Sequence, residues 1–329
     1  MACRLRRGLA AGVIAAGMLL AAGARAAESE LHVVIFQGIS SLPLLAAQQQ
    51  GFFAARGLKV DVAITPSSEA LRTGLAAGRF EIAHAAVDNA IAMVEVAHAE
   101  IAIVLGGDDG FTSVMAQPEI ASYEALKGRT VVVDAPDTAY ALMLYRILEL
   151  HGLKRGDYAV KPLGATYLRL KAMQEDKANA ASILTPPFTF VAAAAGLKDL
   201  GQAVASIGAY QANGAFVLRT WARQNRDALV RYIAAYVEGL RWALNPAHKD
   251  AAEALIASAL KVSPEIAARC YALAAARKGG FDRDAAINLA GMRNVLRLRA
   301  EFEGQWGGKL PPAGRYLDLS YYRSALKAM

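Results

Sequence analysis

Along the first two thirds of the chain, apolar and polar positions fall into a repeating order: a short β-branched run, a polar turn, then a helical stripe. The clearest instance is residues 130–150, TVVVDAPDTAYALMLYRILEL. Thr130–Val133 has the composition of a strand buried on both faces. Asp134-Ala135-Pro136-Asp137 is turn chemistry, and Asp137 or Thr138 can cap the next helix. Ala139, Leu142, Met143, Ile147 and Leu150 then recur at helical spacing. The loop 134–138 is therefore expected at the carboxyl end of a parallel strand, against a helix N-terminus. Open α/β sheets bind ligands at such places.

The same order opens the chain. Residues 31–37 read as a strand, and Pro43 fits the first turn of a helix closed by Gly51. Leu58–Ile64 alternates strictly, and Ser67 or Ser68 caps a helix carrying Leu71 and Leu75. Residues 80–86 and Ile101–Leu105 give two more strands with a helix over 90–96 between them. These steps read as a parallel sheet. Residues 111–115 read as a crossing to a second lobe, which holds 130–150, strands over 158–163 and 180–184, and a helix over 167–175. Residues 214–219 read as the return crossing. The last third is helical. Leu229, Ile233, Val237, Leu240 and Leu244 form one stripe, Ser263-Pro264 opens a second helix, 284–303 gives a third, and Asp318 starts the last. The expectation is an α/β chain of two lobes whose strand-end loops face a shared cleft.

Composition changes this picture at the N-terminus. Of 329 residues 55% are hydrophobic, but part of that excess lies in 1–26, where Arg4, Arg6 and Arg7 precede an apolar run and Ala24-Arg25-Ala26. This reads as a secretory signal peptide cleaved near Ala26. Its removal takes away four arginines and no acid, so the net charge falls from +7 to +3. That balance gives no reason to expect nucleic acid as a partner. Cys270 is then the only cysteine, which excludes an intramolecular disulfide and a cysteine metal cluster. Export without disulfides points to a bacterial periplasm. No metal and no cofactor is expected.

Several stretches resemble the periplasmic solute-binding proteins of the nitrate, taurine, sulfonate and pyrimidine-precursor group, the binding components of ABC importers. They are LPLLAAQQQGFFAARGLKVDV, LRTGLAAGRFEIAHAAVDNAIA, LKGRTVVVDAPDTAYALMLYRILELHGL, AASILTPPF and WARQNRDALVRYIAAYVEGLRWALN. The resemblance implies a two-lobed type II periplasmic-binding-protein fold, each lobe a mostly parallel sheet flanked by helices. It has two hinge crossings, and C-terminal helices packed on lobe 1. The division expected is 1–26 leader, 27–112 and 212–329 lobe 1, and 113–211 lobe 2. The partners implied are a small solute and an inner-membrane ABC permease, with the chain a monomer and not an enzyme. A ligand-sensing subunit for a membrane receptor needs the same lobe closure. An enzyme of this fold that makes a pyrimidine precursor carries a cysteine-rich motif, which this chain lacks.

If the lobes face each other, the strand-end loops supply the candidate ligand residues. They are Gln37, Ser40, Ser41, Thr65, Ser67, Asp88, Asn89 and Asp108 from the first lobe. From the second come Asp134, Asp137, Thr138, Tyr167, Pro187 and Phe188, with Tyr210 near the hinge. Asp88 reads either as a ligand carboxylate or as a helix cap, and the serines either as donors to an anion or as caps. Tyr167, Phe188 and Tyr210 read as stacking surfaces or as core. His84 reads as packing, and Arg169 as an anion partner or a solvent-facing charge. The loops offer more carboxylates than fixed cations, which favours a neutral or amine-bearing solute over sulfonate or nitrate.

Overall fold

The computed structural model describes residues 29–277 and 279–329, so the leader expected over 1–26 lies outside the described residues. Among the described residues no helix is long and apolar enough to cross a membrane.

The first sheet is laid down by β1 (Ser29–Ile35), β2 (Leu58–Ile64), β3 (Ile82–Ala86) and β4 (Ile101–Leu105). Between them run α1 (Leu42–Gln49), α2 (Ser68–Ala76) and α3 (Asp88–Glu95). The local chemistry is as the pattern predicts. Pro43 sits in the first turn of α1, Gly51 follows it at φ 73°, and Ser67 Oγ accepts from Ala70 N to cap α2. The chain then enters the second sheet: β5 (Ser113–Ala116), β6 (Thr130–Val133), β7 (Ala159–Pro162), β8 (Asn179–Leu184) and β9 (Lys198–Gln202). Its helices are α4 (Ala139–Leu150), α5 (Thr166–Glu175), α6 (Phe188–Ala194) and α7 (Ala203–Ile207). The sequence pattern predicts neither β9 nor α6 and α7. Strand β9 lies at a sheet edge with no fully buried residue, so it has no apolar alternation to read.

The chain returns through β10 (Asn213–Leu218) and ends in α8 (Arg219–Gln224), α9 (Arg226–Ala243), α10 (Lys249–Leu260), α11 (Pro264–Ala274), α12 (Leu289–Glu303) and α13 (Ser320–Lys327). Helix α12 starts later than the predicted 284. Asp282 Oδ1 accepts from Asp284 N and Ala286 N to hold a turn, and Asn288 Oδ1 then caps the helix through Gly291 N.

The strand order is β2-β1-β3-β10-β4 in one sheet and β7-β6-β8-β5-β9 in the other. Strands β1, β2 and β3 are parallel, as are β6, β7 and β8. The antiparallel strand in each sheet is the one arriving from the other: β10 pairs with β3 and β4, and β5 with β8 and β9. An incoming strand starts where its neighbours end, Asn213 opposite Ala86 and Ser113 opposite Leu184. Both sheets therefore present their carboxyl ends to the same junction.

One core lies between the first sheet, α1 and α9–α11, with Leu229, Ile233, Val237 and Leu240 fully buried. Each such side chain contributes roughly 1.5–3 kcal/mol. A second core is continuous across the two lobes, joining α2 and α3 to α4 and β6 through Met292, Val295, Leu296 and Leu298 of α12. Helix α12 therefore packs on both lobes and not on lobe 1 alone, as the C-terminal helices are expected to.

Helices α1 and α9 touch backbone to backbone at Gly239, where an added Cβ would lie 2.4 Å from Pro43 O and 2.6 Å from Ala47 N. Gly239→Ala is expected to cost about 2 kcal/mol, because neither backbone can retreat without disturbing the core. Gly314→Ala, with nothing near its Cβ, should stay within about 0.5 kcal/mol. Urea midpoints at unchanged m-value check both; equal midpoints for Gly239→Ala and wild type would contradict the packing described.

Candidate functional site

The carboxyl ends of the two sheets enclose a cleft. On the lobe 1 side, β1 runs into Phe36, Gln37 and Gly38 and the tight turn Ile39–Ser41 that leads into α1. Ser68 opens α2, His84 and Ala86 come from β3, Asn89 from α3, Asn213 and Gly214 from β10, and Tyr236 from α9. On the lobe 2 side are Asp134, Thr138 and Tyr140 around the start of α4, Ala165, Thr166 and Arg169 around the start of α5, and Thr185 after β8. The space is about 830 Å³ counted out to its mouth, of which about 60 Å³ is open to the centre of a water molecule. The walls as they stand leave room for a few waters.

The lobes touch directly at the rim. Ile39 N donates to Pro186 O at 3.0 Å and Ala165 N to Pro66 O at 2.8 Å. Ser68 N donates to the Asp134 carboxylate at 3.0 and 3.3 Å, and Arg72 pairs with Asp137 at 3.5 Å. Asp134 thus sits, from the opposite lobe, on the N-terminal end of α2, where peptide dipoles favour a negative charge.

Of the residues expected from sequence, Gln37, Ser40, Ser41, Asn89, Asp134 and Thr138 line this cavity. Ser40 Oγ accepts from Asn213 Nδ2 at 2.9 Å, and Ser41 Oγ donates to Gly38 O at 2.6 Å to close its turn. Asn89 Nδ2 donates to Ala86 O, while its buried Oδ1 has no partner. Thr138 does not cap α4; its hydroxyl donates to Ala135 O at 2.7 Å and pins the turn.

The other expected residues lie elsewhere. Asp88 is neither a cleft carboxylate nor a cap: it is buried in the first turn of α3, with both oxygens held by Arg299 Nη1 at 2.9 Å. Burial pushes the Asp88 carboxyl up, and the guanidinium opposes it. Thr65 and Ser67 serve their own turn, Thr65 Oγ1 donating to Ser67 O. Asp137 points to Arg72. Tyr167 is inside α5 and outside the cavity wall. Pro187 N-caps α6, and Phe188 packs on the core of the second sheet. Tyr210 is buried at the hinge, its backbone against Gly291.

Asp108 stands behind the wall. Its Oδ1 accepts from Gly110 N at 2.6 Å and Asn213 Nδ2 at 2.8 Å, and Asn213 links it to Ser40. Burial raises its pKa to about 6, against hydrogen bonds from Asn213, Ser40 and Gly110 that pull it down.

Sequence reasoning missed Tyr140, Asn213 and Tyr236, which carry no local signal, while Thr166 and Thr185 lie in strand-end loops expected at the cleft but are not among the candidates. Asn213 and Tyr236 arrive through β10 and α9, far along the chain. His84 is a wall residue as well as a packing one. Its Nε2 lies 2.8 Å from Tyr232 Oη, it stacks on Tyr236, and burial lowers its pKa to about 3, so it is neutral. Arg169 does not face solvent. Its Nη1 donates to Ser182 Oγ and Ile183 O, its Nη2 to Thr166 Oγ1, and its buried Nε has no partner. Burial lowers its pKa to about 10, with Asp134 opposing, so it is charged at neutral pH.

The charge balance is therefore not the carboxylate excess read from the loops. Asp88 and Asp137 are paired, Asp108 is behind the wall, and Asp134 is bound to Ser68 N. What faces the cavity is Arg169 and the N-terminal ends of α2, α4 and α5, opposed by Asp134 alone.

Two lobes of mixed sheet, joined by two crossings and closing strand ends over one cleft, define the two-lobed α/β fold of the periplasmic binding proteins. Residues 39–249 match the family model described as NMT1/THI5 like; this covers more than half of the chain, and the chain belongs to that family. Among curated protein sequences none matches it. Similar solved structures include the ligand-binding component of an ABC-type import system from Staphylococcus aureus. It shares 13% identity at TM-score 0.75, with 90% of this chain and 99% of that one covered. The alkanesulfonate-binding protein SsuA from Xanthomonas axonopodis pv. citri, bound to MOPS, shares 14% at TM-score 0.72, with 89% and 99% covered. The desulfurization enzyme DszB shares 15% at TM-score 0.63, with 90% and 99% covered. At these identities the likeness establishes the fold.

Asp108 gives a pH-dependent prediction. Its folded pKa of about 6 lies above the ordinary value of 3.8, so between those values the folded state holds more protons than the unfolded one. The wild type should lose stability as pH rises through that window. Asp108→Asn keeps an acceptor for Gly110 N and Asn213 but carries no charge. It should be more stable than wild type by roughly 1–3 kcal/mol at pH 7.5, with the difference fading towards pH 4. Urea titrations of both proteins across pH read this directly. A less stable Asp108→Asn at pH 7.5 would mean that the ionised carboxylate stabilises the fold.

Proposed function

We propose that the chain is a solute-binding protein of the periplasm, exported by the segment 1–26, that captures a small molecule between its lobes and delivers it to an ABC importer. The division 27–112 and 212–329 against 113–211 is the one on which closure would act. The observation that carries this reading is the polar, helix-terminus-lined cavity closed by hydrogen bonds made only between lobes. Such contacts form on closure, and a solute shifts that equilibrium only through better contacts in the closed state. The similar folds of an ABC-type import component and of an alkanesulfonate-binding protein support the same reading.

We further propose that the solute carries an anionic group, directed at Arg169 and the starts of α4 and α5. Its body would lie against Phe36, Tyr140 and Tyr236. Among the described residues, the groups that could act as base and nucleophile are engaged elsewhere, which supports binding over catalysis. His84 is engaged with Tyr232 rather than with Ser40 or Ser41, and Cys270 is buried in α11 with its thiol pushed up to about 12 by burial.

Thermal unfolding of the chain without residues 1–26 tests this against sulfonates, aromatic carboxylates, pyrimidines and polyamines. An anionic member at about a hundred times its dissociation constant should add roughly 2.7 kcal/mol. Arg169→Gln should weaken that ligand at least about tenfold, the order expected for losing a charged hydrogen-bond partner. Polyamines as the sole hits would overturn the proposed polarity, and chemical turnover of a hit would overturn the assignment as a binding protein.

A further inference from the structure

Arg299 is fully buried although it carries a charge, and it stands where the two lobes and the C-terminal segment meet. Its Nη1 donates to both oxygens of Asp88 at 2.9 Å and to Asp137 O at 3.3 Å. Asp88 belongs to lobe 1 and immediately precedes Asn89 of the cavity wall; Asp137 belongs to lobe 2 and immediately precedes Thr138 of the opposite wall. One nitrogen therefore touches the supports of both walls. Arg72 of α2 reaches the same Asp137 through its carboxylate, so two cations and two anions alternate along the seam.

The helix that carries Arg299 is anchored at the other end of the same seam. Gly291 lies against the return crossing, where a Cβ would be 2.4 Å from Gln211 N. Asn288 N donates to Gln211 Oε1, and Asn294 Nδ2 donates to Ile207 O and Ala209 O. Helix α12 thus runs from the hinge, at Gly291, to the seam behind the cleft walls, at Arg299.

We infer that Arg299 is a positioning residue for solute capture: it favours the closed state by tying Asp88, behind one wall, to the backbone of Asp137, behind the other, without touching solute. The inference rests on the capture reading above. A contact present only when the lobes are closed raises the closed population before any solute arrives, and apparent affinity scales with that population. The bond to Asp88 lies on one side of the seam; the bond to Asp137 O depends on the relative placement of the lobes. The carboxylate of Asp137 contributes separately, through Arg72.

In the chain without residues 1–26, and hence without Cys3, spin labels on the exposed positions Glu69 of α2 and Lys171 of α5, introduced as Glu69→Cys and Lys171→Cys, place one probe on each lobe; Cys270 is buried and spared. Pulsed electron–electron distance measurement without added solute reads the closed and open populations. The expected wild-type result is a predominant short-distance population. Arg299→Lys keeps a cation on Asp88, but its shorter side chain cannot also hold Asp137 O. It should lower the closed-to-open ratio about tenfold, and Arg299→Gln by more. Asp137→Asn should move it less than Arg299→Lys, because the backbone carbonyl remains. If Arg299→Gln does not fold, the lysine variant alone decides. A distance distribution in Arg299→Lys identical to wild type, whatever its melting temperature, overturns the inference, as does a wild type that is open without solute. A solute-induced thermal shift retained in a variant whose distances do not move would sink this inference and leave the capture reading standing.

Discussion

Each sheet is completed by a strand that arrives directly from the other lobe, and much of the architecture stems from that crossing. Strand β10 lies between β3 and β4, and β5 between β8 and β9, so neither is an edge addition. Removing either would strip backbone partners from two neighbours at once, and unpaired buried peptide groups are not tolerated. Because each arriving strand enters at the end where its neighbours leave, both crossings must lie at the carboxyl ends. The two sets of strand-end loops are then forced to face each other, and the helices after those strands start at the cleft. A cavity walled by helix N-termini is thus a consequence of topology before any particular side chain is chosen.

That wall bears on the solute's charge more than the acidic residues in the loops do. Peptide dipoles at the starts of α2, α4 and α5 favour negative charge, and Arg169 adds a buried cation held by Thr166, Ser182 and Ile183 O. The acids that a linear reading places in the cleft are consumed by structure. Asp88 neutralises Arg299, Asp137 pairs with Arg72, and Asp134 occupies the end of α2 in the closed form. A carboxylate counts towards ligand polarity only if nothing else has claimed it, and here only Asp134 stays on the wall.

The division between what is legible in the chain and what is not reflects the range of the interactions involved. Thr130–Val133, Leu58–Ile64 and Ile101–Leu105 are legible to the residue, because a buried strand between turn signals is a local pattern. The cap at Ser263 is legible for the same reason, and that of α2 is narrowed to Ser67 or Ser68, of which Ser67 makes the bond. Asp88 is not, because its partner lies 211 positions away. Asn213 and Tyr236 are not, because they reach the cavity only through the returning strand and the helix packed behind it. Arg169 looks like a helix-surface charge, since nothing in TYLRLKAMQE says which face turns inward; the two acceptors behind it, Ser182 and Ile183, belong to β8. Asp88 and Asn89 are neighbours in the first turn of α3, yet only Asn89 lines the wall, because a helical backbone sends successive side chains in different directions.

The two kinds of contact between the lobes also divide the work of any motion. On the hinge side the apolar core is continuous from α3 through α12 to α4, with Phe302 edge-on to Tyr145. Separating those surfaces would expose closely packed hydrocarbon, at about 25 cal/mol for every Å². At the rim the lobes meet through a few polar bonds, Ile39 N to Pro186 O, Ala165 N to Pro66 O and Ser68 N to Asp134, each of which water can replace. Net hydrogen-bond contributions are about 1 kcal/mol apiece, so the rim parts far more easily than the seam. Any parting of the lobes would therefore be easier at the rim than along α12 and the two crossings. Arg299 stands at the boundary between these regimes, its Nη1 bonded on one side to Asp88 in the packed seam and on the other to Asp137 O ahead of α4.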